Sequence, residues 1–179
     1  MTEEKKEKWL NYLALSTIIF AVCATLSTFK GGSHSTRSVL SQSQASDQWA
    51  YFQSKSIKGY LYELQKEKFE LELKAADPRT KKLLGEDYEK RIGAYAGKIR
   101  KYDEEKVTIQ NDAKALEAQR DDAQRHSKAF GMAVIFLQIA ILLSSIAALL
   151  KKRIVWLTGL LCGVFGLVYF ANGFWLFMP

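Results

Sequence analysis

The residues best suited to recognition or chemistry in this chain form a short cluster within Ala45–Lys58, ASDQWAYFQSKSIK. If this segment is a helix, Asp47, Tyr51 and Lys55 share one face and offer an acid, a phenol and an amine. The aromatic residues Trp49 and Phe52 share another face. Such a cluster is typical of packing against another helix, and also of a recognition surface. If it is a site, the sequence predicts an oligomer or partner surface.

The two histidines, His34 and His126, carry the side chains that most often bind metals or respond to physiological pH. If residues 30–128 form an antiparallel helical hairpin, the two histidines lie at similar heights above the membrane. In a ring of subunits they would then form a ring of histidine side chains. No nearby acidic or cysteine partner completes a ligand set. We therefore expect solvated interface residues, and we predict no metal and no cofactor.

Motifs of catalysis do not occur in the sequence. There is no HExxH, no GxSxG and no P-loop, because the Lys30–Ser33 segment lacks the upstream glycine and the strand of a phosphate loop. The sequence therefore predicts that the protein is not an enzyme. A buried, converging set of Asp47, Lys55 and His34 would reverse that prediction.

The apolar residues, 48% of the chain, are concentrated in three runs without any charged side chain: residues 9–29, 129–150 and 154–179. At about 1.5 Å rise per residue, each run is long enough as a helix to cross a hydrocarbon layer of about 30 Å. The sequence thus predicts an all-α membrane protein with three transmembrane helices and the lipid bilayer as its first partner.

The charge distribution excludes nucleic acid as a partner. Of the formal net charge of +7, +4 is spread over residues 30–128, where acidic and basic side chains are interleaved, and +3 lies in residues 151–153. Binding to a phosphate backbone requires a concentrated basic patch or an aromatic platform, which this pattern lacks.

The connection between the second and third runs, residues 151–153, is wholly basic and predicts the topology. The positive-inside rule places it in the cytoplasm. Residues 1–8 are then a cytoplasmic tail, and residues 30–128 are extracytoplasmic. The first run exceeds the roughly 7–15 residues of a cleaved signal core, so we expect an uncleaved anchor.

The extracytoplasmic segment has the pattern of an antiparallel coiled-coil hairpin. Its second half follows a continuous heptad: Tyr88, Ile92, Tyr95, Ile99, Tyr102, Lys106, Ile109, Ala113, Leu116, Arg120, Ala123, Ser127 and Phe130. The first half carries a matching series: Ala50, Ser54, Ile57, Leu61, Leu64, Lys68, Leu71 and Ala75. Sustained heptads with charges at the other positions are typical of coiled coils.

The turn of the hairpin is predicted within residues 76–86. Asp77 followed by Pro78 suits an N-cap and a first helical residue, and Gly85 offers a second break. We expect helices from about Ser35 to Ala75 and from about Glu86 to Lys128, with a joint at Lys30–Gly32.

A second apolar stripe on the first helix, at Ala45, Trp49 and Phe52, exceeds what one partner helix can cover. This excess predicts a homo-oligomer. The alternatives are half-exposed aromatic side chains, or packing on a partner protein that the sequence does not identify.

Small and polar residues mark the faces of the predicted spans that pack or line a pore. They are Ala14, Thr17, Ala21 and Thr28 in the first span, Gln138 in the second, and Gly159, Gly163 and Gly166 in the third. Close helix packing is the commoner use of such residues. A narrow polar path along the first span of an oligomer is the alternative. No titratable acid, base or histidine lies in a span, which argues against a proton-coupled transporter.

The layout resembles a known family. The chain has a first span, the segment QASDQWAYFQSKSIK, a helix bearing Tyr60, Leu61, Tyr62 and Leu64, a charged helix and a terminal pair of spans. This order of segments is similar to that of the bacterial domain-of-unknown-function family DUF4337. The resemblance implies a bacterial membrane protein and supplies no catalytic residues. We therefore expect a scaffold or envelope-associated protein in the inner membrane, with an oligomeric channel or transport subunit as the alternative.

Overall fold

The computed structural model describes the backbone of residues 2–178 and the side chains of residues 9–178. It contains three helices: α1 (Thr2–Ala75), α2 (Pro78–Leu150) and α3 (Arg153–Trp175). The described backbone has no strand, so the prediction of an all-helical chain is confirmed there. Each helix includes a stretch long and apolar enough to cross a membrane. The side chains of the predicted cytoplasmic tail, residues 1–8, and Pro179 lie outside the described residues.

The break between α1 and α2 is short and is organised by Asp77. Its Oδ1 accepts hydrogen bonds from the backbone N–H of Arg79, at 2.8 Å, and of Thr80, at 2.9 Å. These bonds lower the pKa of the Asp77 carboxyl, the contact with Thr80 most strongly. Asp77 is thus an N-cap, and Pro78 occupies the first helical position, where a missing N–H is tolerated.

Two glycine breaks predicted from the sequence do not occur. α2 begins at Pro78 and continues through Gly85, rather than starting near Glu86, and α1 continues through the predicted joint at Lys30–Gly32. A glycine inside a helix costs only about 1 kcal/mol relative to alanine, which long helices tolerate.

Gly31 provides close packing instead of a joint. A Cβ at this position would lie 3.1 Å from Cβ of Phe130. The hydroxyl of Ser127 donates to the Gly31 carbonyl oxygen at 3.2 Å, so the missing side chain lets α1 and α2 approach closely.

Two compact units make up the chain: residues 41–118 form unit 2, and residues 1–40 with 119–179 form unit 1. Within unit 2, α1 and α2 contact each other in antiparallel order. Phe69 packs on Tyr88 with ring centroids 5.3 Å apart, and Tyr62 packs on Tyr102 at 5.8 Å.

Burial confirms the heptad of α2 as a packing face but not the series assigned to α1. All thirteen positions of the α2 heptad, from Tyr88 to Phe130, are buried or half-buried. In contrast, every member of the α1 series is exposed: Ala50, Ser54, Ile57, Leu61, Leu64, Lys68, Leu71 and Ala75. We call these eight residues the outer heptad.

The stripe of Ala45, Trp49 and Phe52, which was predicted to contact another chain, is the face of α1 that packs toward α2. Ala45 is buried, and Trp49 and Phe52 are half-buried. The sequence assignment of the two α1 faces was therefore wrong. The inner face is covered by aromatic rings and an ion pair, whereas the outer heptad keeps the aliphatic residues.

The core of unit 1 brings the apolar parts of the three helices together. Its larger cluster has Phe20 and Ala24 from α1 and Ala133, Leu137 and Ala140 from α2, with side chains of α3 packed against them. Alanines at these positions allow the helices to approach closely, as in helix packing within lipid.

Candidate functional site

The predicted surface around Trp49 is largely engaged in unit 2. The indole Nε1–H of Trp49 donates to Oε1 of Glu117 at 2.9 Å. The Trp49 and Phe52 rings meet edge to face, with centroids 5.6 Å apart. Trp49 therefore bonds across to α2, and the half-buried Phe52 packs on its ring. Glu117 is a partner that sequence reasoning missed.

Lys55 has a similar structural role. Its Nζ lies 2.6 Å from Oε2 of Glu105, and it also lies over the rings of Tyr51 and Tyr102, at 5.1 and 5.3 Å from their centroids. The bond to Glu105 raises the pKa of Lys55, and the same bond lowers the pKa of Glu105. Asp47 remains exposed. The structure thus pairs the amine of this cluster with Glu105.

An aromatic ladder extends the contact between α1 and α2 beyond Lys55. Its rings lie with centroids 5.3–5.9 Å apart in the pairs Phe69–Tyr88, Tyr62–Tyr95, Tyr62–Tyr102 and Phe69–Tyr95. The ammonium of Lys98 lies 4.6 Å from the centroid of Tyr62. Cation–π contacts of this kind add to stacking, so the ladder holds the helices together.

The structure brings the two histidines together in unit 1. His34 and His126 stack with ring centroids 4.6 Å apart, and Nδ1 of His126 lies 2.8 Å from the carbonyl oxygen of Gly173. Burial lowers the pKa of His34, and the positive charges of His126, Arg37 and Lys30 lower it further. Oδ2 of Asp122 lies 3.9 Å from Nε2 of His126, an acidic neighbour that was not expected from the sequence. Among the described residues, no group of three or more His, Cys, Asp or Glu side chains is arranged to hold a metal ion.

The glycines of α3 lie where other helices come closest. A Cβ on Gly163 would overlap the Phe20 ring, and a Cβ on Gly166 would lie 2.7 Å from Cγ of Leu137. A Cβ on Gly159 would lie 3.1 Å from Cβ of Leu143. All three glycines thus serve packing within unit 1.

The small residues of α1 do not form one continuous open face. Ala14, Ala21 and Thr28 are exposed, whereas Thr17 is half-buried. The hydroxyl of Thr17 donates to the Leu13 carbonyl at 2.8 Å, and that of Thr28 donates to the Ala24 carbonyl at 2.9 Å. The hydroxyl protons of both threonines are therefore used within their own helix, and only the hydroxyl oxygens remain available as acceptors.

A protein-family model covers nearly the whole chain. The family model for a domain of unknown function, DUF4337, matches residues 9–176. The chain belongs to the DUF4337 family. No curated protein and no solved structure matches it.

Two features of the described surface of this DUF4337 chain bear on its association with another chain. One is the outer heptad, whose four large aliphatic residues are each 57–62% exposed: Ile57, Leu61, Leu64 and Leu71. The other is Gln138, which is exposed and forms no hydrogen bond with the described residues. An unsatisfied amide within an apolar run is unfavourable in lipid unless another helix bonds to it.

Proposed function

We propose that this DUF4337 chain is a membrane-anchored scaffold without enzymatic activity that self-associates through the outer heptad. The observation that carries the proposal is the exposure of Ile57, Leu61, Leu64 and Leu71 at heptad positions. A heptad seam is buried by another helix of the same period. The heptad of α2 is already buried or half-buried, so it is not free to cover the outer heptad.

Membrane insertion is supported by apolar side chains that the helices leave uncovered in the three uncharged runs. Ile18 of α1 is 60% exposed, Leu142 of α2 is 58% exposed, and Leu161 of α3 is 64% exposed. Exposed apolar surface of this extent is unfavourable in water and is suited to a hydrocarbon layer. The basic connection at 151–153 supports a cytoplasmic loop and an extracytoplasmic segment 30–128, in the inner membrane of a bacterium.

An antiparallel coiled-coil hairpin is the arrangement that the contacts within unit 2 favour. Trp49 bonds to Glu117, Lys55 pairs with Glu105, and Phe69 packs on Tyr88. As one residue number rises, its partner's number falls. Such pairing covers the heptad of α2 with the inner face of α1 and leaves the outer heptad for another chain.

A second copy of the same chain is the occupant that fits the outer heptad best. Two copies in one membrane run in the same direction, and the same number of residues separates the first span from Ala50 in each copy. A parallel pair in register therefore places Leu64 opposite Leu64 of the other copy, as a parallel coiled coil requires.

Lys68 fits this arrangement as a device that specifies register. It occupies an a position of the outer heptad, between Glu67 at a g position and Glu72 at an e position. Nζ of Lys68 lies 3.8 Å from Oε1 of Glu72 in the same helix, so a charged pair lies beside the seam. Single polar a residues specify register and oligomer state at some loss of stability.

The test is the oligomeric mass of the full chain in mild detergent and in lipid nanodiscs, for the wild type and for a double variant, Leu61→Glu with Leu64→Glu. Each leucine contributes about 1.5–3 kcal/mol when fully buried, so we expect the dissociation constant to rise more than about a hundredfold. Val107, which is 59% exposed on α2, provides the control Val107→Glu, which should leave the mass unchanged. A monomeric wild type, or equal effects of both changes, would refute the proposal.

Single-channel recording in planar bilayers tests the scaffold against a channel. The scaffold predicts no conductance from the purified oligomer. Conductance that Thr17→Leu or Ala21→Leu abolishes would replace the scaffold with a pore along the first span.

A further inference from the structure

A cleft in unit 1 combines two basic side chains with apolar and aromatic walls. It encloses about 640 Å³ between α2 and the end of α3. Arg125 and Lys128 line one side, and Met132, Tyr169 and Phe177 supply apolar and aromatic walls. Ligand sites commonly have volumes of roughly 300–1,000 Å³, with largely apolar walls and a few polar groups.

The two cations of the cleft are available to a ligand. Arg125 and Lys128 are exposed, and neither pairs with an acidic side chain among the described residues. The acid electrostatically coupled to Arg125 is Asp121, which is already held by Arg120 at 2.8 Å. No acidic residue lines the cleft. Two exposed cations above apolar walls favour an anionic, amphipathic ligand.

The wall formed by the chain after α3 is held in place by Asn172. α3 ends at Trp175, and Leu176 adopts a left-handed conformation with φ of 47°. The N–H of Leu176 donates to the Asn172 carbonyl at 2.8 Å, and the N–H of Met178 donates to Oδ1 of Asn172 at 2.7 Å. Asn172 is only 4% exposed, so the fold of this segment is fixed by a buried side chain.

We propose that this cleft binds the headgroup of an anionic phospholipid, whose phosphate, unlike that of phosphatidylcholine, is not paired with a cationic group of the same headgroup. The proposal rests on the membrane insertion proposed above, in which the second span begins at residue 129. Arg125 and Lys128 then lie within about 6 Å of the hydrocarbon boundary on its outer side, and Met132 lies inside it. The cations would bind the phosphate oxygens, while the apolar walls would contact the upper part of the acyl chains.

A lipid phosphate and a small soluble phosphate share the same recognition by cations, and the apolar walls distinguish them. A soluble phosphate gains nothing from Met132, Tyr169 and Phe177, whereas a phospholipid buries acyl carbon atoms there. We therefore expect lipid binding to exceed binding of glycerol phosphate at equal concentration.

The experiment counts lipids bound to the detergent-solubilised full chain by native mass spectrometry. The probes are phosphatidylglycerol and phosphatidylcholine with identical acyl chains, with soluble glycerol phosphate as a competitor. We expect the wild type to favour phosphatidylglycerol by at least about tenfold. Arg125→Gln with Lys128→Gln should bring the ratio close to one.

Two further variants keep the result interpretable. Arg100→Gln with Lys114→Gln removes the same charge from exposed positions of unit 2 and should preserve the preference. Met132→Trp fills the cleft without changing its charge and should lower phosphatidylglycerol binding at least about fivefold.

Each outcome decides the proposal. Equal binding of both lipids by the wild type, or equal effects of the two charge variants, would overturn the cleft as a headgroup site. Displacement of the lipid by an equal concentration of glycerol phosphate would overturn a lipid as its ligand. Extraction from cell membranes with alkaline carbonate is measured in parallel. A chain that resists extraction but lacks lipid preference refutes only the cleft, whereas a chain released by carbonate refutes membrane insertion.

Discussion

Replacing Gly166 with alanine tests whether α3 packs against α2 as the structure has it. The added Cβ would lie 2.7 Å from Cγ of Leu137, 2.9 Å from its Cδ2 and 3.0 Å from its backbone nitrogen. Leu137 is fully buried, so its side chain has no free volume to enter. Overpacking of this kind costs about 1–3 kcal/mol.

A matched control separates this packing cost from helix propensity. Gly131 is also a helical glycine of the apolar region, but a Cβ there would have no neighbour within 4 Å. Both changes gain the same propensity of roughly 1 kcal/mol, which cancels in the comparison. Gly166→Ala should therefore be less stable than Gly131→Ala by about 1–3 kcal/mol.

Reversible denaturation of the full chain by sodium dodecyl sulfate in mixed micelles measures the difference. Tryptophan fluorescence reports the loss of packing, because Trp9 and Trp156 lie with ring centroids 6.2 Å apart in unit 1. Equal stability of the two variants would refute the close approach of Gly166 to Leu137.

Three further changes have defined outcomes. Gln138→Leu should weaken self-association in liposomes by about 0.6–1 kcal/mol, measured by energy transfer, whereas Gln138→Asn should retain it. No effect of either change would mean that the amide has no partner in a second copy. Lys68→Leu should tighten the oligomer by at least about 1 kcal/mol in the same assay, because it removes one ammonium group of each copy from the seam. Weaker association would contradict the placement of the outer heptad. The pKa of His34 lies below its ordinary value of about 6.5, so the unfolded chain takes up this proton first as the pH falls. The stability of unit 1 should therefore be constant above about pH 7 and decline below about pH 6.5, and His34→Phe should reduce that decline; an unchanged pH profile in this variant would exclude His34 as the source.

The helices and the packing face of α2 could be predicted from the sequence because both depend on periodic hydrophobicity. Uncharged runs and a continuous heptad are properties of the chain itself. The continuity of α1 through Gly31 could not be predicted in this way, because the glycine is explained by its close approach to Phe130, far away in sequence.

The sequence prediction assigned the wrong face of α1 to the contact with α2. The outer heptad has the more aliphatic residues, so a prediction from hydrophobic pattern selects it as the buried face. The inner face instead contains Trp49, Lys55 and Tyr62, which are covered through a hydrogen bond, an ion pair and ring contacts. Such interactions require a partner at one register, and the sequence pattern alone does not specify that register.

The partners within the candidate surface were missed for the same reason. Glu105 and Glu117 read as ordinary solvated charges on α2, and only the antiparallel pairing brings them to Lys55 and Trp49. The sequence predicted that His34 and His126 lie at similar heights in the hairpin, but it did not predict that their rings stack.

Disulfide cross-linking in native membranes tests the proposed self-association through the outer heptad most directly. Cys23 and Cys162 are first replaced with alanine, and Leu64→Cys is compared with Glu63→Cys, its exposed neighbour outside the seam. Self-association through the outer heptad predicts a rapid covalent dimer from Leu64→Cys and little or none from Glu63→Cys. Equal cross-linking at both positions, or none at Leu64→Cys, would contradict it.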